Sequence, residues 1–450
     1  MPPNAHSRAK SRFSRGVFAK KIPFDKRNRK GRALISVGAR HRIFKFNPLY
    51  FADFFQMKLK PLGKITLFLL LAGAAFGAWK VLGPRFAPQV AATPSSNGFP
   101  PNTSPSDFAP AQRTTSEIQL VTSASRKGWM LDQIEKFNAS RPKGTPIRAK
   151  YVETREGMHA ILGGKLQPTL YAPSSVIWAD RLASAYDQKT GHTLLDTSDD
   201  ASFRVLLKTP MVFLTTREKA RVLRPLLGTN AAWSNIRAIS SGQKSVPWGR
   251  LKWAHADPLS ANSGMMALAM IVADYTDRTN QGGAMSAAVD SAAFAGYLKS
   301  LYARFVADSA VKKGSTALAQ SFASEPSRYD FIVAYESVAL GLVRENPDLA
   351  VIYPTPTVNA ENSIALLNWP NTNAQNLQIG REFMQFIASP QALSEAKSEY
   401  FRPVRGAGIQ SELQKYGANG FKNSYSAIEV PPYEVLNKVA FGWKTLVARS

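Results

Sequence analysis

Apolar positions are distributed unevenly along the chain. They show no regular spacing over residues 1–63, form a nearly continuous run over 65–83, are sparse over 84–115 and are regularly spaced from residue 116 onward. The continuous run begins ITLFLLLAGAAFGAW and is interrupted only by Lys80. A run of this length can cross a bilayer as a helix, with Lys80 extending to the interface. The pattern therefore predicts a single transmembrane helix over 64–83.

The charge distribution predicts how that helix is oriented. Residues 1–64 carry 17 Lys and Arg and only two acids, a net charge of +15 out of +26 for the whole chain. Positive charge before a span favours a cytoplasmic N-terminus. We expect 1–63 to be a basic, largely disordered cytoplasmic tail, and 64–83 to be an uncleaved signal anchor in the cytoplasmic membrane. A cleaved signal peptide is the alternative, although the apolar run begins unusually far from the N-terminus.

A linker and an outer domain follow the predicted span. Seven prolines lie between residues 84 and 110, so 84–115 is expected to be an extended linker. From residue 116, short β-branched runs alternate with helical patterns, and Ser-rich turns follow the runs. This alternation predicts an α/β domain over 116–450, exposed to the periplasm or the exterior, with a last helix over 433–447 on its first half.

Six segments of the outer domain together resemble a known family. They are PTLYAPSSVIWADRL, HADPLSANSGMMAL, YDFIVAYESVAL, VIYPTPTV, FMQFIASPQAL and FRPV, in that order within residues 116–407. Their order and spacing resemble the extracellular solute-binding proteins of ABC importers, in the molybdate- and sulfate-like branch of the type II periplasmic-binding fold. The tail and the apolar run lie outside this resemblance.

The resemblance implies two α/β lobes with mixed, mostly parallel sheets, helices on both faces and a ligand cleft between the lobes. Lobe I would contain about 116–206 and 345–450, and lobe II about 207–344. Neutral donors at helix N-termini would hold an oxyanion-like solute. The residues that match these donors are Ser123, Ser125, Ser174, Ser175, Asn262, Ser263, Gly264 and Tyr335. The serines are equally well explained as helix N-caps, and Tyr335 as a core residue.

Several neighbouring residues have two interpretations. Arg126 could clamp a carboxylate, although nothing nearby in the sequence fixes that role. Glu336 would repel an oxyanion if it faced the cleft, and would then favour a cationic or polyol ligand; a capping or solvated role is the alternative. His255 is expected to be structural.

Composition excludes other classes of function. The chain has no cysteine and five scattered histidines, so we expect no disulfide, no metal site and no cofactor. No nucleophile, phosphate-loop or zinc-protease motif occurs, so we expect no enzyme activity and no catalytic residue. We do not expect nucleic acid as a partner, because the span explains the basic tail better.

The function predicted from the sequence is a membrane-anchored receptor that captures a small, anionic solute for ABC permease subunits. The alternative is an envelope sensor or interaction protein that reuses the binding fold, with the basic tail contacting a cytoplasmic partner. Transport alone does not require a tail of this length.

Overall fold

The computed structural model describes residues 117–448, apart from 279, 281 and 407. The predicted tail (1–63), transmembrane helix (64–83) and linker (84–115) lie outside the described residues. Within the described part, no helix is long and apolar enough to cross a membrane.

Ten strands and fifteen helices make up the described residues, together with short 3-10 turns. The strands are β1 (Ile118–Thr122), β2 (Ile147–Tyr151), β3 (Leu170–Ala172), β4 (Phe203–Thr216), β5 (Trp253–Ala254), β6 (Phe331–Tyr335), β7 (Leu349–Ile352), β8 (Thr357–Leu366), β9 (Arg402–Pro403) and β10 (Ala427–Ile428). The helices are α1 (Lys127–Ala139), α2 (Thr154–Leu162), α3 (Val176–Thr190), α4 (Arg217–Leu227), α5 (Ala232–Ser240), α6 (Asn262–Arg278), α7 (Met285–Val289), α8 (Ala292–Leu301), α9 (Ser309–Lys312), α10 (Ser315–Ser324), α11 (Glu336–Glu345), α12 (Ala374–Ile387), α13 (Pro390–Glu395), α14 (Gln410–Gln414) and α15 (Tyr433–Val447).

The long strand β4 belongs to two sheets. Its first half, through Pro210, lies between β8 and β9 in a sheet of order β2-β1-β3-β8-β4-β9. Its second half, from Met211, lies between β7 and β6 in a sheet of order β7-β4-β6-β5. We call the first sheet with its helices the first lobe, and the second sheet with its helices the second lobe. This architecture confirms the predicted two-lobe α/β fold with mixed sheets, while the transmembrane helix predicted to precede it lies outside the described residues.

The predicted predominance of parallel pairing is wrong. Among the described strands, β1 runs parallel to β2 and β3, β5 to β6, and β10 to β8, whereas all other pairings are antiparallel. The reason is that β4 and β8 connect the lobes and run against their main neighbours. Strand β7 pairs with the second half of β4, so residues 349–352 contribute to the second sheet. The lobe boundaries taken from the sequence stay a prediction.

One apolar core extends through both lobes. It includes Trp178 of α3, Met211 and Phe213 of β4, and most of α6, all nearly or fully buried. A smaller core lies on the other face of the first sheet and contains Trp129, Phe137 and Phe383. Because the larger core is continuous across the lobes, the lobes are packed together in this structure.

The last helix has the predicted limits, Tyr433–Val447. It packs mainly on α6, α7 and α8, rather than on the first lobe as the sequence suggested. It also reaches the first lobe, because Asn437 accepts a 2.8 Å hydrogen bond from Arg155 and the Tyr433 ring lies 5.7 Å from that of Trp178. The amphipathic pattern located the helix, but it does not specify which element the apolar face contacts.

Candidate functional site

Three predicted serines meet where neighbouring strands β1 and β3 end. The strands are parallel, so the turns that follow them lie side by side. The hydroxyl of Ser174 donates a 2.7 Å hydrogen bond to that of Ser123, and the hydroxyls of Ser123 and Ser125 lie 2.7 Å apart. Thr154, at the start of α2, donates to Ser174 at 3.2 Å. The sequence did not identify Thr154, which follows the next strand, β2.

These hydroxyls line a pocket between the two lobes. The pocket is narrow, and the space between its lining atoms admits no water-sized sphere in this structure, so ligand entry requires the lining to move apart. Its lining from the first lobe is Ser123, Ala124, Ser125, Glu153, Thr154 and Ser174, and its lining from the second lobe is Ser315, Thr316 and Tyr335. Helix α10 begins at Ser315, so a helix N-terminus lies at the pocket wall, where backbone N–H groups favour an anion.

Asn262, the first residue of α6, connects the lobes behind this pocket. Its side-chain oxygen accepts a 2.6 Å hydrogen bond from Trp178 Nε1, and its amide nitrogen donates to the Tyr335 hydroxyl at 3.0 Å. The same nitrogen lies 3.4 Å from the Ser174 carbonyl. Asn262 is buried and does not line the pocket, so it positions two residues that do, Ser174 and Tyr335.

The other predicted donors lie outside the pocket lining. Ser175 is the buried N-cap residue of α3 and makes no side-chain capping bond. The hydroxyl of Ser263 lies 2.6 Å from that of Ser315 and therefore contacts a lining residue. Gly264 allows a close packing contact, since a Cβ there would lie 2.1 Å from the carbonyl oxygen of Ala256. That contact explains the glycine without a ligand. Direct ligand contact by these residues stays a prediction.

A buried cation lies directly behind the serines. Arg126 Nε donates to Thr122 Oγ1 at 3.0 Å, and Nη2 donates to the carbonyls of Ala172 and Pro173. Nη1 is buried with no partner among the described residues. The neighbours that interact electrostatically with Arg126 are Tyr171 and Tyr335, and burial lowers the pKa of the guanidinium to about 9. Its positive charge is therefore not compensated by a carboxylate. The sequence analysis named Arg126 as a possible ligand residue, but its complete burial is apparent only from the fold.

Two carboxylates near the cleft differ in their surroundings. Glu336 is fully buried and forms a bidentate ion pair with Arg402, with both hydrogen bonds 2.7 Å long. It is therefore part of the framework, and the interpretation of Glu336 as a free cleft carboxylate is wrong. Glu153 lines the pocket, and burial together with nearby Glu156 raises the pKa of its carboxyl to about 7.

His255 has a structural environment. It is fully buried, its Nδ1 donates to the Ala256 carbonyl at 2.8 Å, and its Nε2 accepts from the Tyr302 hydroxyl at 2.7 Å. Burial lowers the pKa of the imidazole to about 4. Within the described residues, no group of three or more His, Asp or Glu side chains is placed to hold a metal ion.

Residues 118–402 match the model of a family described as bacterial extracellular solute-binding protein. The match covers more than half of the chain. The chain belongs to this family. The resemblance stated from the sequence is thereby confirmed, and the two lobes with an intervening pocket are those of a solute-binding protein.

The chain is similar to several solved structures. A periplasmic thiamin binding protein is 12% identical, with a TM-score of 0.51, and the match covers 73% of this chain and 96% of that one. The ferric binding protein from Campylobacter jejuni is 14% identical, with a TM-score of 0.50 and coverage of 74% and 98%. The sulfate-binding protein SubI from Mycobacterium tuberculosis H37Rv is 17% identical, with a TM-score of 0.49 and coverage of 74% and 99%. A comparison with curated proteins gives no match.

Proposed function

We propose that this solute-binding protein captures a small anion in the pocket between its lobes and delivers it to an ABC-type importer. The observation that carries the proposal is the buried, uncompensated guanidinium of Arg126 behind a cluster of hydroxyls. An unpaired buried charge is costly, and a bound anion nearby would offset that cost. The N-terminus of α10 at the opposite wall favours the same sign of ligand charge.

Neutral donors suit the part of the pocket that would touch the ligand. The hydroxyls of Ser123, Ser125, Ser174 and Thr154 already form one connected group. Hydroxyls can rotate to donate to a ligand oxygen at little cost. Arg126 would supply the charge from behind, while the hydroxyls would supply the direct hydrogen bonds.

Thermal unfolding of the full-length chain in mild detergent tests this proposal, with the intrinsic tryptophan fluorescence as the signal. The panel contains phosphate, sulfate, molybdate, small carboxylates, neutral sugars and polyamines. A ligand at about one hundred times its Kd adds about 2.7 kcal/mol to the free energy of unfolding, which raises Tm clearly. We expect a rise with at least one anion and none with the neutral or cationic compounds.

A matched pair of variants assigns the effect to the pocket. Ser123→Ala combined with Ser174→Ala should remove the rise in Tm. Ser240→Ala should keep it, because Ser240 lies in α5, is equally buried, and its hydroxyl has no partner among the described residues. Stabilisation by sugars or polyamines but by no anion would contradict the proposal.

We further propose that residues 64–83 anchor the protein in the cytoplasmic membrane, with residues 1–63 inside the cell and the binding domain outside. The uncharged stretch 65–79 within this segment and the net charge of +15 over residues 1–64 support this arrangement. Protease added to spheroplasts should digest the binding domain and leave the tail protected. Leu69→Lys with Leu71→Lys should release the protein from alkali-washed membranes, because each charge at the centre of a span costs about 3 kcal/mol. Release of the unsubstituted protein by alkali would contradict the anchor.

A further inference from the structure

The pocket is electrically asymmetric. Arg126 belongs to the first lobe and lies outside the lining, where it donates to the carbonyls of Ala172 and Pro173 at the end of β3. Glu153 also belongs to the first lobe, but its carboxyl extends to the second lobe. A Cβ placed on Gly314, immediately before α10, would lie 2.3 Å from Glu153 Oε1. A ligand in the pocket would therefore meet the Glu153 carboxyl directly, whereas the Arg126 charge would act on it from behind the serines.

The Glu153 carboxyl has no partner of its own among the described residues. It lines the pocket and is half-buried, and no hydrogen bond or ion pair to it occurs in that part of the chain. The charged and titratable groups that act on this region are Glu156 on the same helix, Tyr335 at the end of β6, and Arg126 through its effect on Tyr335. From α10, Ser315 and Thr316 line the pocket, and neither can neutralise a carboxylate.

A carboxylate in an anion pocket constrains the ligand. An ionised carboxylate can only accept hydrogen bonds. An anion without a hydrogen of its own places acceptor against acceptor and charge against like charge. An anion that carries an O–H or N–H on the side facing Glu153 replaces that repulsion by a charge-assisted hydrogen bond. The same pocket can thus distinguish two anions of equal size and charge.

We infer that Glu153 is a specificity-determining residue, and that the solute is an anion bearing its own hydrogen-bond donor, held with the donor toward Glu153 and the anionic group toward Arg126. The inference rests on the proposed function and narrows its ligand class. Hydrogen phosphate and small hydroxy acids share this chemistry, whereas sulfate, molybdate and simple carboxylates do not.

Calorimetric titration of the full-length chain at about pH 8, above the pKa of Glu153, tests the inference with matched pairs of probes. Phosphate and sulfate are both tetrahedral dianions at this pH, and only phosphate carries a hydrogen. Glycolate and propionate are monoanions of similar size, and only glycolate carries a hydroxyl. We expect the donor-bearing member of at least one pair to bind about tenfold or more tightly than its partner, the value of one charged hydrogen bond. The pair that discriminates distinguishes an inorganic from an organic solute.

Glu153→Gln is the decisive variant. A glutamine side chain can donate as well as accept, so sulfate or propionate should gain about tenfold in affinity and the discrimination should largely disappear. Glu156→Gln is the control, because it removes one negative charge from the same helix at a residue outside the pocket lining. It should leave the ratio of the two affinities unchanged.

The outcomes are distinguishable. Equal binding of both members of each pair, unchanged by Glu153→Gln, would overturn the inference while leaving an anion receptor in place. Preference for the member without a donor would overturn it as well. No binding of any anion, by the unsubstituted chain or by Glu153→Gln, would overturn both the inference and the proposed function.

Discussion

The guanidinium of Arg402 donates two parallel hydrogen bonds, each 2.7 Å long, to the carboxylate of Glu336. Arg402 lies on β9 in the first sheet, and Glu336 is the first residue of α11, directly after β6 of the second sheet. The Tyr353 hydroxyl also donates to Glu336, and Arg402 donates to the carbonyls of Lys422 and Asn423. This ion pair therefore ties the two lobes and the C-terminal segment together.

Removing one partner of this ion pair should be costly. Glu336→Gln leaves the guanidinium buried without a counter-charge, and we expect a loss of about 3–5 kcal/mol in the free energy of unfolding. Urea unfolding of the full-length chain measures it. Asp290→Asn is the control, because its pair with Lys438 is about half exposed and should contribute about 1 kcal/mol or less. Equal losses in the two variants would show that the buried ion pair contributes little to the free energy of unfolding.

The absence of a side chain at Gly314 should determine where the Glu153 carboxyl can lie. Its φ of +98° favours glycine, so Gly314→Ala should cost about 1–2 kcal/mol. Gly242→Ala is the matched control, since Gly242 has a φ of +82° and open space where a Cβ would lie. The new methyl at 314 must also displace the flexible Glu153 carboxyl. We therefore expect Gly314→Ala to weaken the discrimination between phosphate and sulfate and Gly242→Ala to preserve it; identical discrimination in both variants would contradict the contact.

His255 should make the fold sensitive to acid. Its pKa is lowered to about 4 in the fold, against about 6.5 in the unfolded chain, so the unfolded state binds more protons between these values. Stability from this residue is present above about pH 6.5 and is lost as pH falls toward 4, by up to about 3 kcal/mol. The difference in unfolding free energy between the unsubstituted chain and His255→Gln, measured across this range, should shrink as pH falls. A constant difference would contradict this account.

Glu153 should have the opposite pH dependence. Its pKa is raised from about 4.5 to about 7 in the fold, so the folded state binds more protons between these values. The contribution of Glu153 to stability therefore falls as pH rises from about 4.5 to about 7. Glu153→Gln removes the cost of ionising this carboxyl in the fold. The variant should therefore gain stability relative to the unsubstituted chain as pH rises over that range, by about 2–3 kcal/mol. Glu156→Gln should give no comparable gain.

Local features of the site could be predicted from the sequence, and features that depend on lobe contacts could not. A strand followed by a Ser-rich turn located Ser123 and Ser174, because the strand end and the turn are adjacent in the chain. Arg126, only three residues from Ser123, gains its importance from carbonyls at 172 and 173 that surround it in the fold. The Glu153 carboxyl lies against Gly314, which is 161 residues away in sequence. Single-sequence patterns carry no information on such distant pairs.

Asn262 should decide how firmly the lobes stay together. It accepts from Trp178 of the first lobe and donates to Tyr335 at the end of β6, and it is 1% exposed. Asn262→Ala leaves the Trp178 N–H buried without its acceptor, which costs about 1–3 kcal/mol, and removes a link between the lobes. We expect a lower free energy of unfolding and, in small-angle scattering without ligand, a larger radius of gyration.

Asn373→Ala is the matched control for Asn262→Ala. Asn373 caps α12 and donates no bond between the lobes, since its side chain accepts from Gln375 N. Its loss should cost about 1 kcal/mol of stability without changing the radius of gyration. If Asn262→Ala lowers stability but leaves the radius unchanged, Asn262 stabilises the fold without holding the cleft closed. An expanded form that an anion returns to the original radius would instead identify Asn262 as a residue that sets the equilibrium between open and closed lobes.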